Sequence, residues 1–406
     1  MTALAWSGEL PSSWRIEKTR QVLRRIKRPV RPEDQTVTAF RDGQVTLRSN
    51  RRTEGFTEAF AEIGYHGIRC GDLAVHAMDG FAGAIGVSDS DGKVSPVVHL
   101  YDAGDGDARY FAYALREAAR AGYVTSLAKG IRERSTSFDP QTLSAMDLPV
   151  PPLATQRRIA DYLDRETAAI DALIEKQRKV KKLGTARKQA VIDSAVASPE
   201  VLPLKRDAAL VTSGPRGWAQ FYASSGQRFI RITDIQRDSI KLGDQSVRYV
   251  DTPDAGEAQR ASTRVGDLVV SITADLGSVG LIDKAHAGAV VSQHVAIVRL
   301  AGRHWVSRFA AYALKSSPLK DQFAGAAYGG TKVQLSLGDV RDLEVPAPPL
   351  PEQRAIANQL DRETAKIDAL IAKAERFIEL AQERRAALIT AAVTGQLEIP
   401  AEESSA

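Results

Sequence analysis

Two kinds of hydrophobic pattern alternate along the chain. Short apolar runs occur at Asp72-Leu-Ala-Val-His76, Val94-Ser-Pro-Val-Val-His-Leu100, Asp267-Leu-Val-Val-Ser-Ile272 and Val290-Val-Ser-Gln-His-Val-Ala-Ile-Val298, and clusters of glycine, aspartate and serine bound them. Runs of that length between turn formers predict strands. Helical stretches are expected at 108–121 and 304–316. Each set belongs to a segment of mixed α+β character, 1–150 in the first half and 199–347 in the second.

Residues 154–196 and 352–394 read differently: they hold no proline and a single glycine, Gly184. They are rich in Ala, Leu, Glu, Arg and Lys, which favour helix. In the second stretch Leu360, Ile367, Ala374, Ala381 and Leu388 recur every seven residues, and Leu370 and Phe377 follow at the intervening three-residue offset. That pattern predicts a coiled-coil seam. The first stretch keeps Leu163, Ile170, Leu173, Val180 and Val191 but interrupts them with Gln177 and Gly184. About 40 residues rising ~1.5 Å each make a rod of roughly 60 Å. So long a stripe cannot be buried within one small domain, and the expected partner of each rod is the other.

The two rods are copies. QRRIADYLDRETAAIDALI at 156–174 and QRAIANQLDRETAKIDALI at 353–371 agree at 15 of 19 positions. Proline leads precede them, Pro149-Val-Pro-Pro-Leu153 and Pro346-Ala-Pro-Pro-Leu350. Weaker matches pair Arg69-Cys-Gly-Asp-Leu73 with Arg264-Val-Gly-Asp-Leu268, and Tyr110-Phe-Ala-Tyr-Ala-Leu115 with Phe309-Ala-Ala-Tyr-Ala-Leu314. The predicted organisation is domain 1–150, helix 151–198, domain 199–347, helix 348–399 and a disordered tail 400–406, an internal repeat related by an approximate two-fold.

Composition narrows the function. No apolar stretch reaches the ~18–20 residues of a membrane span. The start, MTALAWSGELPSSW, lacks a secretory pattern, and Cys70 is the one cysteine, so a cytoplasmic protein with no membrane partner is expected. The net charge of +5 is unevenly spread, with +7 over residues 1–52 and −6 over 53–150. Arg24, Arg25, Lys27 and Arg28, on an expected early helix, could meet phosphates or form a solvated face. Catalytic signatures are lacking: both Pro-Pro pairs precede leucine, and no Walker-type loop exists. The histidines show no metal-ligand spacing; His99 and His294 read as core residues. Cys70 reads as a packing residue beside a turn, and Asp72 and Asp267 as turn formers.

Pro151-Pro-Leu-Ala-Thr-Gln-Arg-Arg-Ile159 and Pro348-Pro-Leu-Pro-Glu-Gln-Arg-Ala-Ile356, each opening a long helix about 200 residues apart, carry a family resemblance. Leu10-Pro-Ser-Ser-Trp14, Gly214-Pro-Arg-Gly-Trp218 and Phe229-Ile-Arg-Ile-Thr-Asp-Ile235 add to it. The chain resembles the DNA-specificity subunits of type I restriction-modification enzymes over essentially its whole length. That resemblance implies two target-recognition domains, each reading half of a split duplex sequence. It implies two helices packed antiparallel as a spacer. It also implies docking of two modification methyltransferase subunits and a restriction and translocation motor subunit. No catalysis and no cofactor are expected in this chain itself. The alternative left open is a coiled-coil adaptor whose two mixed domains bind proteins.

Base-reading residues are Arg, Lys, Asn and Gln on loops or groove helices. Lys129, Arg132 and Arg134 in the first half, and Thr331, Lys332 and Gln334 in the second, stand just before the equivalent proline leads. They could contact DNA or form charged turns. Arg216, Arg228, Arg231, Arg237 and Lys241 make a further basic cluster. On the rods, Asp164, Arg165 and Glu166 repeat as Asp361, Arg362 and Glu363, either as a twice-used subunit contact or as a solvated face.

Overall fold

The computed structural model describes residues 3–4, 6–51, 63–123, 139–252, 254–327 and 333–399. It divides into two units, Met1–Lys176 with Phe377–Ala406, and Gln177–Arg376, so each rod contributes to both. The rods are single helices of 44 residues, Leu153–Val196 and Leu350–Val393.

In the first unit, Arg24–Ile26, Val98–Asp102, Leu73–His76 and Ile85–Val87 form an antiparallel sheet in that order. Side chains alternate across it, as strand geometry requires. Leu73 and Val75 pack under the helix Ala108–Arg120, while Ala74 joins Val37, Val45 and Ile68 on the other face. Burial on both faces explains why these strands read as continuous apolar runs rather than alternating ones. Ile389, Ala392 and Val393 of the second rod and Leu163 of the first complete the helix-side core.

The second unit repeats the frame. Ala208–Ser213, Val295–Leu300, Leu268–Ser271 and Val279–Leu281 take the same antiparallel order, and Ser307–Leu314 is the covering helix. Leu268 and Val270 again face the helix and Val269 the opposite side. What differs is the layer on that opposite side. The first unit carries a hairpin, Val37–Ala39 with Val45–Leu47; the second has a sheet ordered Tyr222–Ala223, Tyr249–Val250, Gln227–Ile230, Val290–Val291, whose last pair is parallel.

Four expectations are corrected. Arg24 and Arg25 lie on an edge strand, and the early helix is confined to Thr19–Val22. Charged side chains suit a sheet edge, where they oppose further strand pairing. The run 290–298 breaks at Ser292–His294, leaving His294 exposed, and Cys70 is exposed rather than packed.

The fourth correction concerns the seam. Within each unit the two rod segments run antiparallel. In the second unit Lys188 Nζ lies 2.6 Å from Asp368 Oδ1 and Lys181 Nζ 2.7 Å from Glu375 Oε1, and in the first unit Arg385 Nε lies 3.0 Å from Asp171 Oδ1. Leu163, Ile170, Leu360, Ile367 and Ala374 are buried, with Val191, Ala381 and Leu388 partly so. Leu173, Val180, Leu370 and Phe377 are instead 40–58% exposed. The second row of the stripe lies four residues after the first, at Thr167, Ile174, Lys188, Thr364 and Ile371, rather than three. Both offsets give a seam of period seven, and apolarity favoured the wrong one because Thr167, Thr364 and Lys188 are polar. Gly184 belongs to the seam: a Cβ there would stand 3.1 Å from Ile371 Cγ1, so glycine lets the backbone approach closely.

Candidate nucleic-acid interface and its supports

The duplicated rod sequence builds the same latch in each unit. Gln156, nearly fully buried, accepts the Asp107 N–H at 2.9 Å and donates to the Pro151 carbonyl at 2.9 Å. Its counterpart Gln353 accepts from Val306 N–H at 2.9 Å and donates to the Pro348 and His304 carbonyls, both at 2.7 Å. One amide therefore ties the rod's first turn to the proline lead and to the start of the covering helix. Two turns on, the Tyr113 hydroxyl donates to Asp164 at 2.9 Å and stands 3.3 Å from Thr167 Oγ1. Tyr312 does the same with Asp361, at 2.8 Å, and Thr364, at 3.3 Å. Burial pushes the Tyr113 hydroxyl up to about 12 and raises that of Tyr312 further. Arg109 and Arg308 close the latch on the same aspartates at 2.9 and 2.8 Å.

Asp164 and Asp361 are thus engaged inside their own units while staying partly exposed. Their repetition follows from the repeated fold. Arg165, Glu166, Arg362 and Glu363 remain on the surface or half-buried. The tyrosines, glutamines and arginines of the latch were not singled out from sequence. The matched Tyr-Ala-Leu and Gln-Arg positions were the available signal.

One turn beyond each tyrosine stands a cation that grips the divergent layer. Arg116 Nη2 donates to the Asp42 carbonyl at 2.5 Å, across Gly43, whose positive φ of 91° and close approach to the guanidinium both require glycine. Lys315, 3% exposed, donates to the Gln236 carbonyl at 2.9 Å. Burial lowers both groups, Lys315 to about 7.

The matching Gly-Asp-Leu turns form as expected. Asp72 accepts the Arg69 N–H at 2.8 Å and Asp267 the Arg264 N–H at 2.7 Å. Each also holds a cation, Arg28 and Arg299 respectively. Arg28 thus pairs with the turn while keeping its side chain 38% exposed. Arg24 pairs with Asp102 at 2.9 Å, while Arg25 reaches His99 Nδ1 at 3.3 Å and Lys27 is exposed. In the second unit Arg228 pairs with Asp244, and Arg231 with Asp234 and Ser246. Arg216 and Lys241 are exposed, and Arg237, largely exposed, meets Asp275 at 2.9 Å. Gln334 bridges Thr273 through its backbone. Lys129, Arg132, Arg134, Thr331 and Lys332 lie outside the described residues. Among the described residues no group of three His, Cys, Asp or Glu could hold a metal, and no helix is long and apolar enough to cross a membrane.

Residues 251–379 match the family described as type I restriction modification DNA specificity domain. Over that stretch the chain is similar to the DNA specificity domains of type I restriction-modification systems. The resemblance read from the two proline-leucine, glutamine-arginine openings is borne out. The specificity subunit of the type I restriction enzyme EcoBI of Escherichia coli is 22% identical over 71% of this chain and 65% of its own length. The chain thus spans about 65% of the length of the curated relatives it matches. Among solved structures, a chain from a study of complex assembly and conformational transition of the type I R-M system superposes with a TM-score of 0.70. It is 17% identical, and the match covers 96% of this chain and all of that one, 100%. The HsdS subunit from Thermoanaerobacter tengcongensis gives 0.51 at 17% identity, over 96% of this chain and 98% of its own. These likenesses show the fold.

The matched specificity domain contains the second latch whole: Tyr312, Arg308, Asp361 and Thr364 all fall inside it. The first latch lies outside the matched residues yet has the same bonds. The first unit therefore repeats the frame of the matched stretch, with a different layer on its opposite face.

Proposed function

We propose that this chain is the specificity subunit of a type I restriction-modification complex, reading a bipartite duplex target with its two units. The observation that carries this is the pairing of a repeated frame with unlike outer layers. Sheet order, covering helix, latch and buried cation recur, whereas the hairpin at 37–47 and the sheet at 222–291 do not. Such a protein presents two different readers on one kind of mount, as a target with two unlike halves demands. Candidate contacts are Arg24, Arg25, Lys27, Arg28, Arg216, Arg228, Arg231, Arg237 and Lys241, together with Lys129, Arg132, Arg134, Thr331, Lys332 and Gln334 before the proline leads.

Two modification methyltransferase subunits are proposed to dock on the rods. Support comes from the apolar side chains the seam leaves exposed, which are repeat-equivalent: Leu173 with Leu370, Val180 with Phe377, Leu183 with Leu380. Large exposed apolar residues mark interaction surfaces when they cluster, and their duplication suits one kind of partner bound twice. A motor-nuclease subunit would join that core. S-adenosylmethionine and ATP chemistry would belong to those partners, with no cofactor in this chain, and the assembly would work in the cytoplasm.

The test is duplex binding by the chain reconstituted with its methyltransferase. Salt-sensitive, sequence-selective binding is expected, with methyladenine appearing in native DNA at a split motif of constant gap. Salt-insensitive or absent DNA binding would favour the protein-binding adaptor instead.

A further inference from the structure

The first unit contains a concave cavity of about 390 Å³ whose polar lining is Arg25, Lys27, His66 and His99, with no carboxylate lining it among the described residues. Three elements bring these side chains together. The edge strand Arg24–Ile26 carries Arg25 and leads into Lys27; its neighbour Val98–Asp102 supplies His99; His66 opens the strand His66–Ile68. Arg25 Nη2 lies 3.3 Å from His99 Nδ1, so the guanidinium caps an imidazole nitrogen rather than an acid. His66 is 6% exposed; the Gly64 and Val98 backbones stand against its ring, but its buried Nδ1 makes no well-formed hydrogen bond among the described residues. Buried polar atoms are normally paired, and one that is not calls for an explanation such as an absent ion. The charges acting on the two rings are mostly positive. Burial, then Lys27 and Arg25, hold His66 down; burial, then Arg25, His66 and His76, hold His99 down to about 4, with Asp139 alone pulling the other way.

We propose that this cavity is a phosphate site, in which Arg25 and Lys27 neutralise the anion and His66 and His99 donate ring N–H groups to its oxygens. Phosphate is the class that fits: a compact, multiply charged acceptor satisfies several donors converging from one side, where a carboxylate would leave some unpaired. Its source is either a free phosphate or one phosphodiester of a bound duplex. The second source rests on the DNA-reading function proposed above.

The full chain labelled at histidine Cε1 tests both sources, since six histidines give an assignable spectrum. A nearby anion stabilises imidazolium, so inorganic phosphate should raise the titration midpoints of His66 and His99 by roughly one unit or more, and His286 and His304 should not respond to it. The paired substitution Arg25→Gln, Lys27→Gln, on exposed side chains, should weaken phosphate at least tenfold while leaving the urea midpoint in place. A random-sequence duplex should shift the same two rings, and the double variant should lower the salt dependence of its binding by about one or more phosphate contacts. Salt-sensitive duplex binding with both rings undisturbed by duplex and by phosphate overturns the site and leaves the DNA-reading function standing. Rings that answer to phosphate in a chain that binds no duplex uphold the site and remove that function. Silence in both arms overturns the site outright.

Discussion

Lys188 Nζ of the first rod holds Asp368 Oδ1 of the second at 2.6 Å, and the lysine side chain is only 6% exposed. The repeat places a counterpart at the same step, Arg385 with Asp171 at 3.0 Å. The lysine stem fills a seam position that sequence assigns to an apolar side chain, and its head is neutralised across the seam. Lys188→Ala is expected to cost about 2 kcal/mol. That is less than the ~3–5 kcal/mol of a fully buried pair, because Asp368 is 45% exposed and keeps water. A double-mutant cycle with Asp368→Ala, read by urea unfolding, should return a coupling of roughly 0.5–3 kcal/mol. Coupling near zero would show that the pair does not join the rods.

Tyr113→Phe and Tyr312→Phe should each destabilise by about 1 kcal/mol and by similar amounts. Each change removes one donor, yet the aspartate keeps its arginine and the threonine keeps its bond to the carbonyl four residues back, Leu163 or Leu360. Thermal unfolding of the two variants checks this, and a several-fold difference between them would show that the two latches are not equivalent.

Lys315 makes the second unit's stability depend on pH. Its ammonium is held down to about 7 by burial, against 10.5 for the free side chain. Between those values the unfolded chain binds a proton that the folded chain does not, so stability rises with pH by at most roughly 1.4 kcal/mol per unit. Below pH 7 both states are charged and this dependence disappears. Urea midpoints measured from pH 7 to 10 should climb in the parent and climb less in Lys315→Met.

Seam and surface apolar residues should separate cleanly. Leu163→Ala and Leu360→Ala, both fully buried, are expected to cost about 2–5 kcal/mol. Leu173→Gln and Leu370→Gln, at 44% and 58% exposure, should change stability by no more than ~0.5 kcal/mol. The surface changes should instead reduce methyltransferase binding, one change at a time, in sedimentation or light-scattering stoichiometry. Unaltered stoichiometry in the double variant would move the docking surface elsewhere.

Much of the frame was legible along the chain. Leu73–His76 and Leu268–Ser271 read as strands because both faces are buried and the run is continuously apolar. The rods read as helices because propensity, length and the duplicated motif agree. The Gly-Asp-Leu turns were legible because an aspartate capping its own turn is local chemistry. The strand at Arg24–Ile26 was not: its cations fit a helix face as well as a sheet edge, and only the partner strand Val98–Asp102 decides. The same limit hid the roles of Asp164 and Asp361, whose partners lie 49–55 residues away.

By itself the sequence determined that there are two frames, two rods and one repeat relating them, since each follows from local propensity or from identity between copies. Tertiary structure alone decided which polar residues enter the seam, which apolar ones stay outside it, and which arginines pair with which acids. Those choices depend on what stands opposite each side chain, and a helical or strand period gives the spacing of a stripe but not the surface that meets it.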